Sequence, residues 1–238
     1  MKTLRAYSYY PYHRPDARDV YQRAVKYFFA FKNGRDYRSS DRRKSQTFDQ
    51  IVQKLSEKAG RCPVFRHEWT AVPVPRSGSS QKPFSANACE YPCWALAQRL
   101  AKDGHVVEAR QILHRHKPVS RASDTEGRIP IETHLDSLTV TLHPSLKGAP
   151  LILIDDLITR GTQLMACYLA LRRAGHEGSV EAFCVSQTVA RDPTDEQLEP
   201  YLEHLISWRD GWSHANRTDH GQWDARSWRN TNRSPTDH

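Results

Sequence analysis

No apolar run in the 238-residue chain approaches membrane-spanning length, and the opening MKTLRAYSYYPYHRP has no apolar core of the kind a secretory leader carries. These absences argue against a membrane protein and set the expectation of a cytoplasmic one. Cysteine is sparse, with five residues at 62, 89, 93, 167 and 184 and no CxxC pair. Cys89 and Cys93 stand four apart, which fits one helix face, but two ligands fall short of a zinc site, so free thiols in a reducing compartment are expected. Apolar residues make up 38% of the chain and the 11 glycines are outnumbered by 14 prolines, which implies a modest core with long loops. A GxxxxGK[ST] loop is also missing, and that removes P-loop nucleotide binding from consideration.

Positive charge is abundant and uneven. The formal net charge is +8, yet residues 1–66 hold 16 Lys/Arg against 6 Asp/Glu, while the remainder holds 19 against 21. A basic N-terminal half favours an anionic partner, either a phosphorylated small molecule or a nucleic acid, although a solvated helical face gives the same count.

Periodicity divides the chain. Residues 16–60 read as helical around a charged connector, KNGRDYRSSDRRKSQ, and the expected layout is a basic helical N-terminal region over 1–64. A core follows over 65–206. EWTAVPVP reads as a strand, YPCWALAQRLAKDG as a helix opened by Pro92 and closed near Gly104, and LTVTL as an edge or half-buried strand. Residues 112–137 lack sustained periodicity and suit a mobile lid. APLILID is a continuous apolar run of the kind found in a central parallel strand, TQLMACYLALRRAG a helix ending at Gly175, and SVEAFCVS another strand, so the three make a βαβ unit. From 207 to 238 the chain reads as a Trp/Arg-rich tail with little regular structure, expected to pack its tryptophans on the domain.

The chemistry concentrates in LILIDDLITRGTQL, residues 151–164. An apolar strand runs into Asp155 and Asp156, then into a short hydroxyl-bearing turn just ahead of a helix. Backbone amides at a helix N-terminus cradle an anion and the helix dipole favours a phosphate there. Thr159 and Thr162 add hydroxyl donors, and Gly161 permits close approach or positive φ. Two acids beside one phosphate nest suit a phosphorylated sugar, with carboxylates on ribose hydroxyls and the loop on the phosphate.

This stretch resembles the PRPP-binding motif of type I phosphoribosyltransferases: four hydrophobic residues, two acids, two hydrophobics, then a Thr/Ser/Gly-rich loop. The resemblance implies an α/β fold with a central, mostly parallel sheet flanked by helices and a variable hood. It also implies PRPP binding by Asp155, Asp156, Leu157, Ile158, Thr159, Arg160, Gly161, Thr162 and Gln163, of which Gln163 departs from the usual small hydroxyl residue. VPVPRSGSS occupies the position of the family's pyrophosphate loop, giving Arg76, Ser77, Gly78 and Ser79 that role. The Pro-Val-Pro stretch and the Arg-containing insert at 112–137 are similar to the ComF-like branch, associated in bacteria with DNA uptake, although that branch's N-terminal zinc-binding cysteines are absent. Arg115, Lys117 and Arg121 are the hood candidates for closing over the site. The family implies magnesium held chiefly through substrate oxygens, with Asp155 and Asp156 as the protein groups in reach, and a homodimer as one assembly. Two functions follow. One is magnesium-dependent phosphoribosyl transfer to an unidentified acceptor, with Asp155, Asp156 and Arg76 as the catalytic groups. The other is a catalytically silent regulatory or accessory protein, in DNA uptake or anti-phage defence, that engages nucleic acid or a protein through the basic N-terminal half.

Overall fold

The computed structural model describes residues 1–12, 22–39, 43, 45–76, 92–119, 129–188 and 202–222. Nine strands and five helices lie among them: β1 (Lys2–Tyr12), α1 (Gln22–Lys32), α2 (Phe48–Ala59), β2 (Thr70–Pro73), α3 (Pro92–Lys102), β3 (Glu108–Ala109), β4 (Leu113–Arg115), α4 (Ile131–Asp136), β5 (Leu138–Val140), β6 (Leu151–Ile158), α5 (Thr162–Arg173), β7 (Val180–Thr188), β8 (Leu202–Trp208) and β9 (Asn216–Gln222). Seven strands form one sheet in the order β3-β2-β6-β7-β1-β8-β9, and β4 pairs with β5 in a separate ribbon. The first five are mutually parallel, while β8 and β9 join antiparallel. The expected α/β architecture, a mostly parallel sheet flanked by helices, is therefore present.

Two apolar clusters cover the sheet. Leu151 and Leu153 of β6 pack with α4 and α5 on one face, while Ile152 and Ile154 pack with α1, α2 and α3 on the other. A strand covered on both faces has no polar side to offer, which is why this segment reads as a continuous apolar run. The βαβ unit of β6, α5 and β7 is as the periodicity predicts, and α3 begins at Pro92 with Gly104 beyond its end at φ +76°.

The N-terminus differs from expectation. Residues 1–64 do not stand apart as a helical region, because β1 lies between β7 and β8 inside the sheet. Leu4 and Ala6 face one cluster and Tyr7 and Tyr9 the other, so β1 is also covered on both faces. The tail boundary at 207 likewise cuts through β8, where Leu202, His204, Ile206 and Trp208 alternate inward, and β9 extends the sheet beyond it. Trp223 and Trp228 lie outside the described residues.

Connectivity creates one distinctive place. From β2 the chain crosses through α3 to β3 on one side, and from β6 it crosses through α5 to β7 on the other. Adjacent parallel strands whose crossovers diverge leave a crevice at their carboxyl ends, the topological switch point of open α/β sheets. The turn from β6 into α5 at this crevice requires glycine. Gly161 has φ +80°, and a Cβ there would sit 2.6 Å from Ile206 Cδ1.

Removing residues 1–12 is expected to abolish cooperative thermal unfolding, since it deletes an internal strand; a truncated protein that melts cooperatively at an unchanged temperature would refute the central placement of β1. Gly161→Ala should cost on the order of 2–5 kcal/mol in urea unfolding, combining left-handed strain with overpacking. In a double-mutant cycle, Ile206→Ala should recover the steric share and leave the backbone share.

Candidate functional site

Pairing around β6 is asymmetric at the crevice. Toward β2 it ends at Pro73 opposite Ile154, closed by Val74 N–H donating to Ile154 O at 2.9 Å. Toward β7 it continues through Asp155 opposite Cys184 to Ile158 opposite Gln187. Asp155 and Asp156 therefore lie inside β6, not at its end as the sequence suggests, at the point where one neighbouring strand has stopped. Strand alternation sends their side chains to opposite faces. Asp155 is 7% exposed, and its Oδ1 accepts from the Asp156 backbone N–H at 2.9 Å. Burial and the charge of Asp156 push the Asp155 carboxyl well above the usual carboxylate range, against the opposing pull of that hydrogen bond and of Lys32. Asp156 is half-buried, with Lys32 Nζ 3.7 Å from its Oδ2.

Burial also raises the thiols of Cys93 and Cys184 well above their ordinary value, and the two aspartates add to the effect. They stay protonated and unreactive at neutral pH. Cys62 and Cys167 are free and buried as well, in line with the expected free thiols, and Cys89 lies outside the described residues.

Beyond the acids, Leu157 is half-buried and Ile158 buried; Thr159 and Arg160 are exposed, Gly161 is buried, and Thr162 and Gln163 are half-buried. Gly161 caps α5 without a side-chain hydrogen bond, so no capping side chain serves the first amides of that helix. Gln163 Nε2 donates to Pro75 O at 3.2 Å, spanning the crevice from the start of α5 to the segment after β2. The residue that departs from the motif thus ties the two loops together.

Arg76 is exposed at the mouth of the crevice. Its Nη2 donates to Lys32 O at 2.7 Å, and its own carbonyl accepts from Arg115 Nε at 2.8 Å. Ser77, Gly78 and Ser79 lie outside the described residues, as does Arg121. The hood candidates separate sharply. Arg115 is only 6% exposed and also donates through Nη1 to Ser137 Oγ, so it braces the Arg76 backbone from beneath. Lys117 is exposed and makes no salt bridge among the described residues. Near Arg115, His134 is held neutral, its pKa pushed down to about 4 by burial, by the guanidinium and by His214.

Sequence reading missed two residues here. Lys32, at the end of α1, reaches Asp156 across 124 positions, and no local signal marks it. Arg217, in the supposed tail, donates to Ile158 O at 3.1 Å and to Thr188 O at 2.9 Å, clamping the ends of β6 and β7. Among the described residues no group of three or more His, Cys, Asp or Glu could hold a metal ion, and no helix is long and apolar enough to cross a membrane.

No family model and no curated protein matches the chain. Among solved structures it is similar to a hypoxanthine phosphoribosyltransferase from Staphylococcus aureus in two crystal forms. The tetragonal form aligns with TM-score 0.33 and 12% identity over 76% of this chain and 90% of that one. The orthorhombic form aligns with TM-score 0.29 and 12% identity over 62% and 71%. It is similar also to the UMP synthase of Leishmania donovani, with TM-score 0.31 and 11% identity over 71% of this chain and 34% of that one. At such scores these likenesses carry no argument about substrate or mechanism, and the functional reading rests on the residues of the crevice.

Proposed function

We propose that the protein binds PRPP and, with magnesium, transfers its 5-phosphoribosyl group to an acceptor while releasing pyrophosphate. The observation that carries this reading is the gathering of three features at one switch-point crevice: the Asp155–Asp156 pair, the glycine turn into the α5 N-terminus, and Arg76. Bond breaking at C1 loads negative charge on the leaving pyrophosphate and positive charge on the ribose ring. Arg76 would meet the first and the carboxylates the second, while the α5 amides with Thr159 and Thr162 would hold the 5-phosphate. Such a site works by positioning and preset charge and needs no protein nucleophile.

Two carboxylates, one of them beside Lys32, are too few for an all-protein magnesium cage. They suit an ion held chiefly by water and substrate oxygens, with Asp155 or Asp156 as a single protein donor. Bound there, magnesium would neutralise charge on the pyrophosphate.

A second reading is favoured by Gln163. Its bond to Pro75 O links two loops that must accommodate substrate between them, which suits a protein that binds its ligand without turning it over. Calorimetric titration with PRPP and magnesium, run beside a pyrophosphate-release assay over nucleobases, separates the two. Binding with release supports the transferase, and binding with no release on any base supports the sensor.

Replacing both acids, Asp155→Asn with Asp156→Asn, should weaken PRPP binding by about 100-fold or more, given about 1.5–3 kcal/mol per charge-assisted hydrogen bond. Unchanged affinity in a folded double mutant would overturn the site assignment. Asp155 also predicts a pH effect on stability. Folding raises its pKa, so the native state binds this proton more tightly than the unfolded chain. The stabilisation is complete below about pH 3.9 and is lost as pH rises through the native value. Asp155→Asn should therefore raise Tm at pH 7–8, by about 2–4 °C for each kcal/mol recovered, and give no gain near pH 3.5. A lower Tm at pH 7 would show that the carboxylate stabilises the fold.

A further inference from the structure

We propose that Ile206 and Arg217, a cross-strand pair on the β8–β9 hairpin, are positioning residues for the turn that would hold the 5-phosphate. The proposal rests on the PRPP reading and extends that site to a part of the chain well outside the motif. The two residues stand directly opposite each other on β8 and β9. Their side chains therefore leave the same face of the sheet. It is the face that α5 covers, since Ile206 shares an apolar cluster with Leu164, Met165 and Leu169 of that helix.

The pair grips the turn at both ends. Where the turn begins, Arg217 Nη1 donates to Ile158 O at 3.1 Å and Nη2 donates to Thr188 O at 2.9 Å. Ile158 is the last residue of β6 and Thr188 the last of β7, so one planar guanidinium fixes both strand ends. Where the turn finishes, Ile206 is fully buried against Gly161. A Cβ on that glycine would meet Cδ1, Cγ1 and Cγ2 of Ile206 at 2.6, 2.7 and 2.9 Å. Between the two grips only Thr159 and Arg160 remain, and both are exposed.

A short turn anchored at both ends presents its backbone amides in one arrangement before any anion arrives. A turn free at one end is ordered only at the moment of binding, and the lost conformational entropy lowers affinity. Arginine suits the task because its donors form a rigid fork that can serve two carbonyls on neighbouring strands at once. A lysine ammonium is a point charge on a flexible stem and has no such fork. The opposite wall of the crevice is held by other donors, with Arg76 bonded to Lys32 O and braced by Arg115. Loss of the hairpin grip should therefore disturb one anion subsite and spare the other.

The test measures backbone nitrogen relaxation in the full chain without ligand, beside calorimetric titration with ribose 5-phosphate and, separately, with pyrophosphate and magnesium. Arg217→Met keeps the apolar stem and removes both donors. In it the order parameters of the Thr159, Arg160 and Gly161 amides should fall below about 0.6, from the roughly 0.85 of a rigid backbone. Ribose 5-phosphate should bind about tenfold more weakly, the entropic cost of ordering a short turn on binding, while pyrophosphate affinity stays unchanged. Arg217→Lys keeps a charge and loses the fork, so it should resemble Arg217→Met; an affinity near that of the wild type would overturn the proposal in favour of charge alone. Thr218→Ala, whose side chain leaves the other face of β9, should match the wild type in every measurement. Unaltered order parameters in a folded Arg217→Met protein, or equal losses for the two ligands, would overturn the positioning role. A wild type that binds neither ligand would instead overturn the PRPP reading, and the order parameters then decide the positioning of the turn on their own.

Discussion

A strand covered on both faces must fill both with apolar side chains, and β6 does so from Leu151 to Ile154. Its next two residues are carboxylates still bonded to β7 but no longer bonded to β2. That position is costly, because a buried carboxylate resists ionisation and a charged neighbour adds to the resistance. Asp155 bears most of the burden, with one backbone N–H and a distant ammonium as compensation. A packing preference alone would place leucine or valine here. The acid pair is instead a local violation of the pattern that specifies the strand, and such violations concentrate where chemistry is done.

The walls of the crevice are held by long side chains that donate to backbone carbonyls. Arg115 reaches Arg76 O, Arg76 reaches Lys32 O, Gln163 reaches Pro75 O, and Arg217 reaches Ile158 O and Thr188 O. These donors come from the β4 ribbon, the segment after β2, α5 and β9, so several parts of the chain converge on loop ends that could otherwise move apart.

The parts legible in the sequence were those governed by local rules. Periodicity and punctuation located α3 between Pro92 and Gly104 and the βαβ unit of β6, α5 and β7, though β6 runs on past the acids to Ile158 and β7 to Thr188, and the positive φ of Gly161 follows from the demand of a tight turn. What escaped was set by distant contacts. In β1 both faces are buried, but by tyrosine and alanine in a run interrupted by Lys2, Arg5 and Ser8, which hides the apolar signal. In β8 the inward position of His204 breaks an otherwise plain alternation. It is buried because Ser8 and Gln187 form a polar chain with it inside the sheet. Among the hood cations, Arg115 alternates inward with Leu113 in a strand too short to announce itself, so Arg115 and Lys117, which look equivalent in sequence, are not equivalent in space.

The helix α1 ties the acid pair to the core. Its buried side, Phe28 and Phe31, anchors it to the sheet, and its last residue carries the ammonium beside Asp156. The packing of Phe31 against Phe48, with centroids 6.3 Å apart, ties α1 to α2 as well. A helix fixed by two buried aromatic rings cannot shift its last turn freely, so the position of the Lys32 ammonium is set by packing on the far side of the helix. The ion pair at Asp156 is therefore a consequence of how the N-terminal part of the chain packs, which links the crevice to residues far from it in sequence.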